Sequence, residues 1–135
     1  MLRAKVFSSH VVEGEALVVD VLSFLGDVDP ETGTIVAKDS GAYGEKVCNK
    51  ILVIKRCRGS TVGPYILYAL SRKGLAPKAI VLGDRDPVVI AGAVLSDIPL
   101  AIVIDRELLT YVHSGCRIVV DPHRQCIEVI CYSER

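Results

Sequence analysis

The chain has 135 residues, with 16 Lys+Arg balanced by 16 Asp+Glu, and half of it is apolar; that is one domain's worth of chain, able to bury a core without a disulfide or metal staple. A pI near 6.8 excludes an electrostatic grip on nucleic acid or on an anionic membrane as the main function. The mean hydropathy of +0.40 is high for a fully solvated surface and fits either a rich core or an apolar face covered by a partner chain.

The first ten residues, MLRAKVFSSH, lack the apolar core and small-residue cleavage site of a signal peptide, and apolar runs such as 88–95 are too short to span a bilayer. The expected location is therefore the cytoplasm. Strand signals follow in chain order at 4–7, 15–22, 34–37, 50–54, 79–82, 100–104, 117–120 and 126–131, most of them rich in Val and Ile. Helical signals lie at 64–73, 88–95 and 106–112. The first half thus reads as mostly β. In the second half strands and helices alternate, and runs such as AIVL and LAIVI look buried on both faces. We find no repeat, low-complexity tract or linker, so the expectation is a single domain over residues 1–135, a mixed α/β chain layered β/β/α rather than doubly wound.

The five cysteines, Cys48, Cys57, Cys116, Cys126 and Cys131, are odd in number and contain no C-x-x-C pair or His partner at zinc spacing. They read as buried or half-buried thiols, with no metal bound by this chain alone.

The helix at 64–73 is the best specified element. Pro64 suits its first position, Ile66, Ala69 and Leu70 share a face, Gly74 can take a left-handed cap, and Pro77 blocks continuation. Just before it stands RGSTVG, with Ser60 and Thr61 ahead of backbone N–H groups that lack internal partners. Two readings stay open here. In one, a hydroxyl caps the helix, Gly59 and Gly63 shape the turn, and Arg56 and Arg58 are solvated. In the other, the free N–H groups, the helix dipole and Arg58 converge on a carboxylate or phosphate, and the same field stabilises an alkoxide on Ser60 as a base. The loop is not a phosphate-binding Walker loop, since it lacks the glycine spacing and the Lys-Ser/Thr ending. Asp27 and Asp29, in a Gly-Asp-Val-Asp-Pro turn, are candidates to line the same site, although such turns are common. Asp84 and Asp86 beside Pro87 read as the start of the second helix, and His10, His113 and His123 as scattered surface or structural residues.

Taken together, RGSTVG with YILYAL, then KGLAPKAIV and DPVVIAGAVLSDIPLA, preceded by SFLGDVDPETGTIV and GEKVCNKILVI, resemble the small subunit of the aconitase-X family. The order is preserved from about residue 19 to residue 104. Three positions depart from that family's pattern: Asp27 replaces a glycine, Leu25 an aromatic residue, and Cys57 a frequent glycine.

The resemblance implies a swivelling β/β/α domain, related to the mobile fourth domain of aconitase, that closes over a large catalytic subunit. It implies a hydro-lyase active only as a heteromer. In the archaeal members, the nearest in likeness, water is removed from (R)-5-phosphomevalonate to give trans-anhydromevalonate 5-phosphate in a modified mevalonate pathway to isoprenoids. The family's base matches Ser60, with Arg58, Gly59 and Thr61 placed to hold the substrate or the alkoxide. It also implies a 4Fe-4S cluster on the large subunit and none on this chain. The alternatives are dehydration of another substrate, such as hydroxyproline, or a non-catalytic swivelling module that uses RGST as an anion cradle.

Overall fold

A computed structural model describes residues 1–58 and 63–131. Residues 59–62, the GSTV of the RGSTVG junction, lie outside the described residues, as do 132–135. Among the described residues, seven strands close into a barrel in the order β1-β5-β4-β3-β2-β6-β7. They are β1 (Leu2–Phe7), β2 (Val12–Leu22), β3 (Ile51–Cys57), β4 (Ala79–Leu82), β5 (Leu100–Val103), β6 (Arg117–Asp121) and β7 (Cys126–Ile130). The helices are a single turn, α1 (Phe24–Asp27), then α2 (Gly63–Arg72) and α3 (Pro87–Leu95), and a 3₁₀ helix spans Arg106–Tyr111. The sheet therefore dominates, with the α elements fewer than a mixed α/β description suggests.

Strands β2, β3, β4 and β5 are mutually parallel, whereas β1, β6 and β7 pair antiparallel. The long β2 joins the two halves: residues 12–15 pair with β6 and residues from Ala16 onward pair with β3. At that switch Gly14 keeps the strands close, because a Cβ there would lie 3.1 Å from Ile51 Cγ1.

Burial on both faces of the parallel strands gives the layering. Leu52, Ile54, Ile80 and Leu82 share a core with Leu67 and Leu70 of α2 and with Val89 and Ala93 of α3. The alternate residues Ile51, Val53, Ala79 and Val81 share a second core with Leu2, Ile118, Val120 and Ile127 of the antiparallel strands. Period-two alternation thus sends one set of side chains to the helices and the other into the barrel. The result is a helical layer, a parallel sheet and an antiparallel sheet.

The helix ends follow their local chemistry. Gly74 has φ +74, and the Leu75 N–H returns to the Leu70 carbonyl at 2.9 Å, which is the left-handed cap expected from the sequence. Asp86 caps α3 by accepting from the Val88 and Val89 N–H groups, with Pro87 in the first turn. Gly92 lets the two helices touch, since a Cβ on it would lie 3.1 Å from Pro64 Cα.

Three expectations are corrected. The segment 34–37 is not a strand: it makes only the isolated bridges Val28↔Ile35 and Thr34↔Lys46. Gly33, Gly41 and Gly44 all have positive φ and break the pairing, while Ile35 and Val47 are fully buried, so the apolar signal there reflects packing. The segment 106–112 forms a 3₁₀ helix rather than an α-helix, with Leu108 N–H to the Asp105 carbonyl and Val112 N–H to the Leu109 carbonyl. Two of the five cysteines are not thiols, because Cys116 and Cys131 form a disulfide across a Cα–Cα distance of 4.4 Å. In the β6–β7 hairpin Arg117 faces Ile130, so the next pair outward is Cys116 and Cys131. Cross-strand register therefore brings together residues that their number alone does not pair. No helix among the described residues is long and apolar enough to cross a membrane.

Candidate active site

The four parallel strands end on the same side of the sheet, and their exits carry most of the polar candidates. Residue Asp27 follows β2, Arg58 follows β3, and Asp84 and Asp86 follow β4. The carboxyl edge of a parallel sheet is where α/β proteins bind ligands, because the loops there diverge and leave a crevice.

Arg58 is held from both ends. Its backbone N–H donates to the Leu22 carbonyl at 2.8 Å, extending the β2–β3 pairing by one residue. Its Nη2 donates to both Asp39 carboxylate oxygens at 3.0 Å, and its Nε lies 3.5 Å from Asp27 Oδ2. That same Asp27 oxygen accepts the Ser23 N–H at 2.7 Å, which fastens the α1 turn. Asp27 is the better buried partner, with 14% of its side chain exposed against 64% for Asp39. At such exposures the ion pairs are worth about 1 kcal/mol or less; their effect is to orient the guanidinium.

Asp29 is placed differently. Its Oδ1 accepts the Glu31 N–H at 2.9 Å, and its carbonyl accepts the Thr32 and Gly33 N–H groups, so it shapes its own turn. The candidates Gly59, Ser60 and Thr61 fall outside the described residues. The structure brings Arg58 and Asp27 together and leaves Asp29 turned to its own backbone.

Two residues that the sequence reading did not assign to the site belong to this edge. Asp39 sits in an irregular loop 19 residues before Arg58 in the chain, and no periodic signal marks it. Asp84, read as helix-start chemistry, instead accepts the Cys57 N–H at 3.1 Å. Burial, then the nearby Asp84 carboxylate, then the charge of Asp86, push the Cys57 thiol far up from its ordinary value. Cys57 therefore stays a protonated thiol and is not a reactive nucleophile.

No three His, Cys, Asp or Glu side chains gather as metal ligands among the described residues. The donor set present does not fit an iron–sulfur cluster, which is held by thiolates.

The aconitase X swivel domain family model matches residues 1–129. The chain belongs to the aconitase X swivel domain family. Within it, the chain is 45% identical over 130 residues to the phosphomevalonate dehydratase small subunit of Pyrococcus abyssi, covering 96% of this chain and 98% of that protein. It is 46% identical over 130 residues to the Pyrococcus horikoshii protein of the same name, covering 96% and 95% of the two chains. Among solved structures, the holo-form of Thermococcus kodakaraensis aconitase X superposes with a TM-score of 0.85 at 37% identity, covering 96% of this chain and 98% of that one. The aconitase X resemblance read from RGSTVG and its flanking motifs thus extends over the whole swivel domain.

Proposed function

We propose that this chain is the small subunit of a two-chain hydro-lyase that dehydrates (R)-5-phosphomevalonate to trans-anhydromevalonate 5-phosphate. The observation that carries the proposal is the end-to-end similarity to small subunits named for that dehydration, at 45% identity over 96% of this chain. The name of those relatives supports a large-subunit partner as well as the reaction.

Eliminating a β-hydroxyl from a carboxylic acid requires removal of a proton from the carbon next to the carboxylate and departure of the hydroxyl. In this reading Ser60 accepts the proton. Arg58, with the backbone N–H groups at Gly59 and Thr61 and the N-terminal end of α2, supplies positive potential that favours the Ser60 alkoxide and the substrate's anionic groups. Asp27 and Asp39 hold the guanidinium in one orientation, so Arg58 is placed without a search among rotamers. Asp27 then acts through Arg58, and Asp29 shapes the turn that follows it. In this reading the 4Fe-4S cluster implied by the family lies on the large subunit. The two chains together make one active site, with the 135 residues of this chain acting as one domain that closes over its partner.

The test is an assay of each chain alone and of the reconstituted pair against (R)-5-phosphomevalonate and hydroxyproline. The expected result is dehydration of phosphomevalonate by the pair and by neither chain alone. Turnover of hydroxyproline in its place would move this chain to another dehydratase, and turnover of neither would reduce it to a non-catalytic module.

A further inference from the structure

The chain as a whole balances 16 basic against 16 acidic residues, but one flank of the carboxyl edge is not balanced. Two cavities of about 260 and 330 Å³ open there, and Arg106, at the start of the 3₁₀ helix, lines both. Lys55 and Arg56 of β3 line the smaller one with Leu109, and Arg85, just past β4, lines the larger one with Ile104. Gly83 lets these elements meet. Its N–H donates to the Ile54 carbonyl at 2.9 Å, and a Cβ on it would lie 2.5 Å from the Lys55 carbonyl oxygen and 3.0 Å from Leu109 Cδ1. The acids of the same loops are engaged by the fold: Asp84 accepts the Cys57 N–H, Asp86 caps α3, and Asp105 takes the Arg3 guanidinium at 2.8 Å.

Four cations therefore line these walls, against the carboxylates of Asp84 and Glu107. Lys55 lies 3.7 Å from Asp20. Among the described residues, Arg56, Arg85 and Arg106 enter no ion pair, and all three are exposed. Like charges gathered on concave walls raise a positive potential there, and a guanidinium offers the planar fork of donors that phosphate oxygens accept. In the proposed substrate the carbon that loses its proton adjoins the carboxylate, while the phosphate ester sits at the other end of the molecule, so its two anionic groups need separate receptors. Arg58 is oriented toward the β2 side by Asp27 and Asp39; the cavities lie on the side of β4 and the 3₁₀ helix. We propose that Arg56 and Arg106 form the receptor for the substrate's phosphate, with Lys55 and Arg85 raising the potential around it. This inference rests on the dehydratase reading for the identity of the anion, but not for the geometry of the site.

The test uses the two-chain complex carrying Arg56→Gln or Arg106→Gln. We expect kcat/KM for (R)-5-phosphomevalonate to fall about 10- to 100-fold, with most of the loss in KM, as for a charge-assisted hydrogen bond that serves binding. Arg106→Lys should recover part of the loss, since it restores the charge but not the fork. Inorganic phosphate, titrated into the same complexes without substrate and followed by phosphorus NMR line broadening, should bind the wild type and bind the Gln variants about tenfold more weakly. A KM unchanged in both variants overturns the proposal, as does phosphate binding that is unchanged in both or absent from the wild type. Loss of the complex on size-exclusion chromatography, with the variant chain still folded, also overturns it and assigns the arginines to contact with the large subunit. If the wild-type complex does not act on phosphomevalonate, the dehydratase reading fails, while the phosphate titration still decides the site.

Discussion

The parallel sheet has two edges, and they are secured by different chemistry. At the amino edge the Ala16 N–H donates to the Cys116 carbonyl and the Gly115 N–H returns to the Ala16 carbonyl, while Cys116 is bonded covalently to Cys131. Ala16 faces Ile51, the first residue of β3. At the carboxyl edge of the same strands there is no covalent tie among the described residues. Cys57 and Arg58 are held by the carboxylates of Asp84, Asp27 and Asp39. The difference separates stability from activity: one edge is closed to keep the barrel intact, and the other is oriented by ionised groups whose bonds can be exchanged for those of a substrate or partner.

That contrast can be broken by changing each edge in turn. The largest stability effect belongs to the amino edge: Cys131→Ser opens a loop with a sequence separation of 15. It should cost about 3 kcal/mol on the chain-entropy scale, read as a lower melting temperature and matched by adding reductant to the wild type. The dehydration rate well below melting should not change, and equal melting with and without reductant would remove the covalent half of the comparison. Next comes Gly83→Ala, whose Cβ meets backbone rather than a flexible side chain. A loss of about 2 kcal/mol is expected, together with a fall in kcat, because the exits of β3 and β4 must part. Wild-type kcat in a folded Gly83→Ala complex would show that the close approach of the β3 and β4 exits does not matter to the rate. The smallest effect is Asp86→Ala, which removes the α3 cap and costs about 1 kcal/mol with kcat retained. Asp86→Ser should recover most of that loss in a denaturant titration.

Much of this architecture was legible in the residues, because its signals are local. AIVL and LAIVI announced strands buried on both faces, and all the residues of β4 and β5 are buried, although Ile104, the last residue of LAIVI, lies past β5 and is exposed. Gly74 and Pro77 marked the end of α2, and RGSTVG with its neighbours carried the family. The disulfide was legible in principle, since aligning the β6–β7 hairpin on its register puts Cys116 opposite Cys131; counting cysteines alone does not do this. Strand 34–37 misled because buried Ile35 and the nearby valines mimic a strand, while positive-φ glycines on both sides prevent a ladder. The Arg58–Asp39 and Cys57–Asp84 contacts join positions 19 and 27 residues apart through irregular loops, where neither a period of two nor one of 3.6 applies. Site residues of that kind emerge only once the strand exits are assembled on one edge.

The central claim is that this chain contributes the proton acceptor to an active site shared with a larger subunit. Its most direct measurement is the rate of phosphomevalonate dehydration by the reconstituted pair carrying Ser60→Ala, with assembly checked by size-exclusion chromatography. The account predicts an intact complex whose kcat falls by about 10²- to 10⁴-fold, as expected for loss of a general base. An intact complex that turns over at the wild-type rate would contradict it.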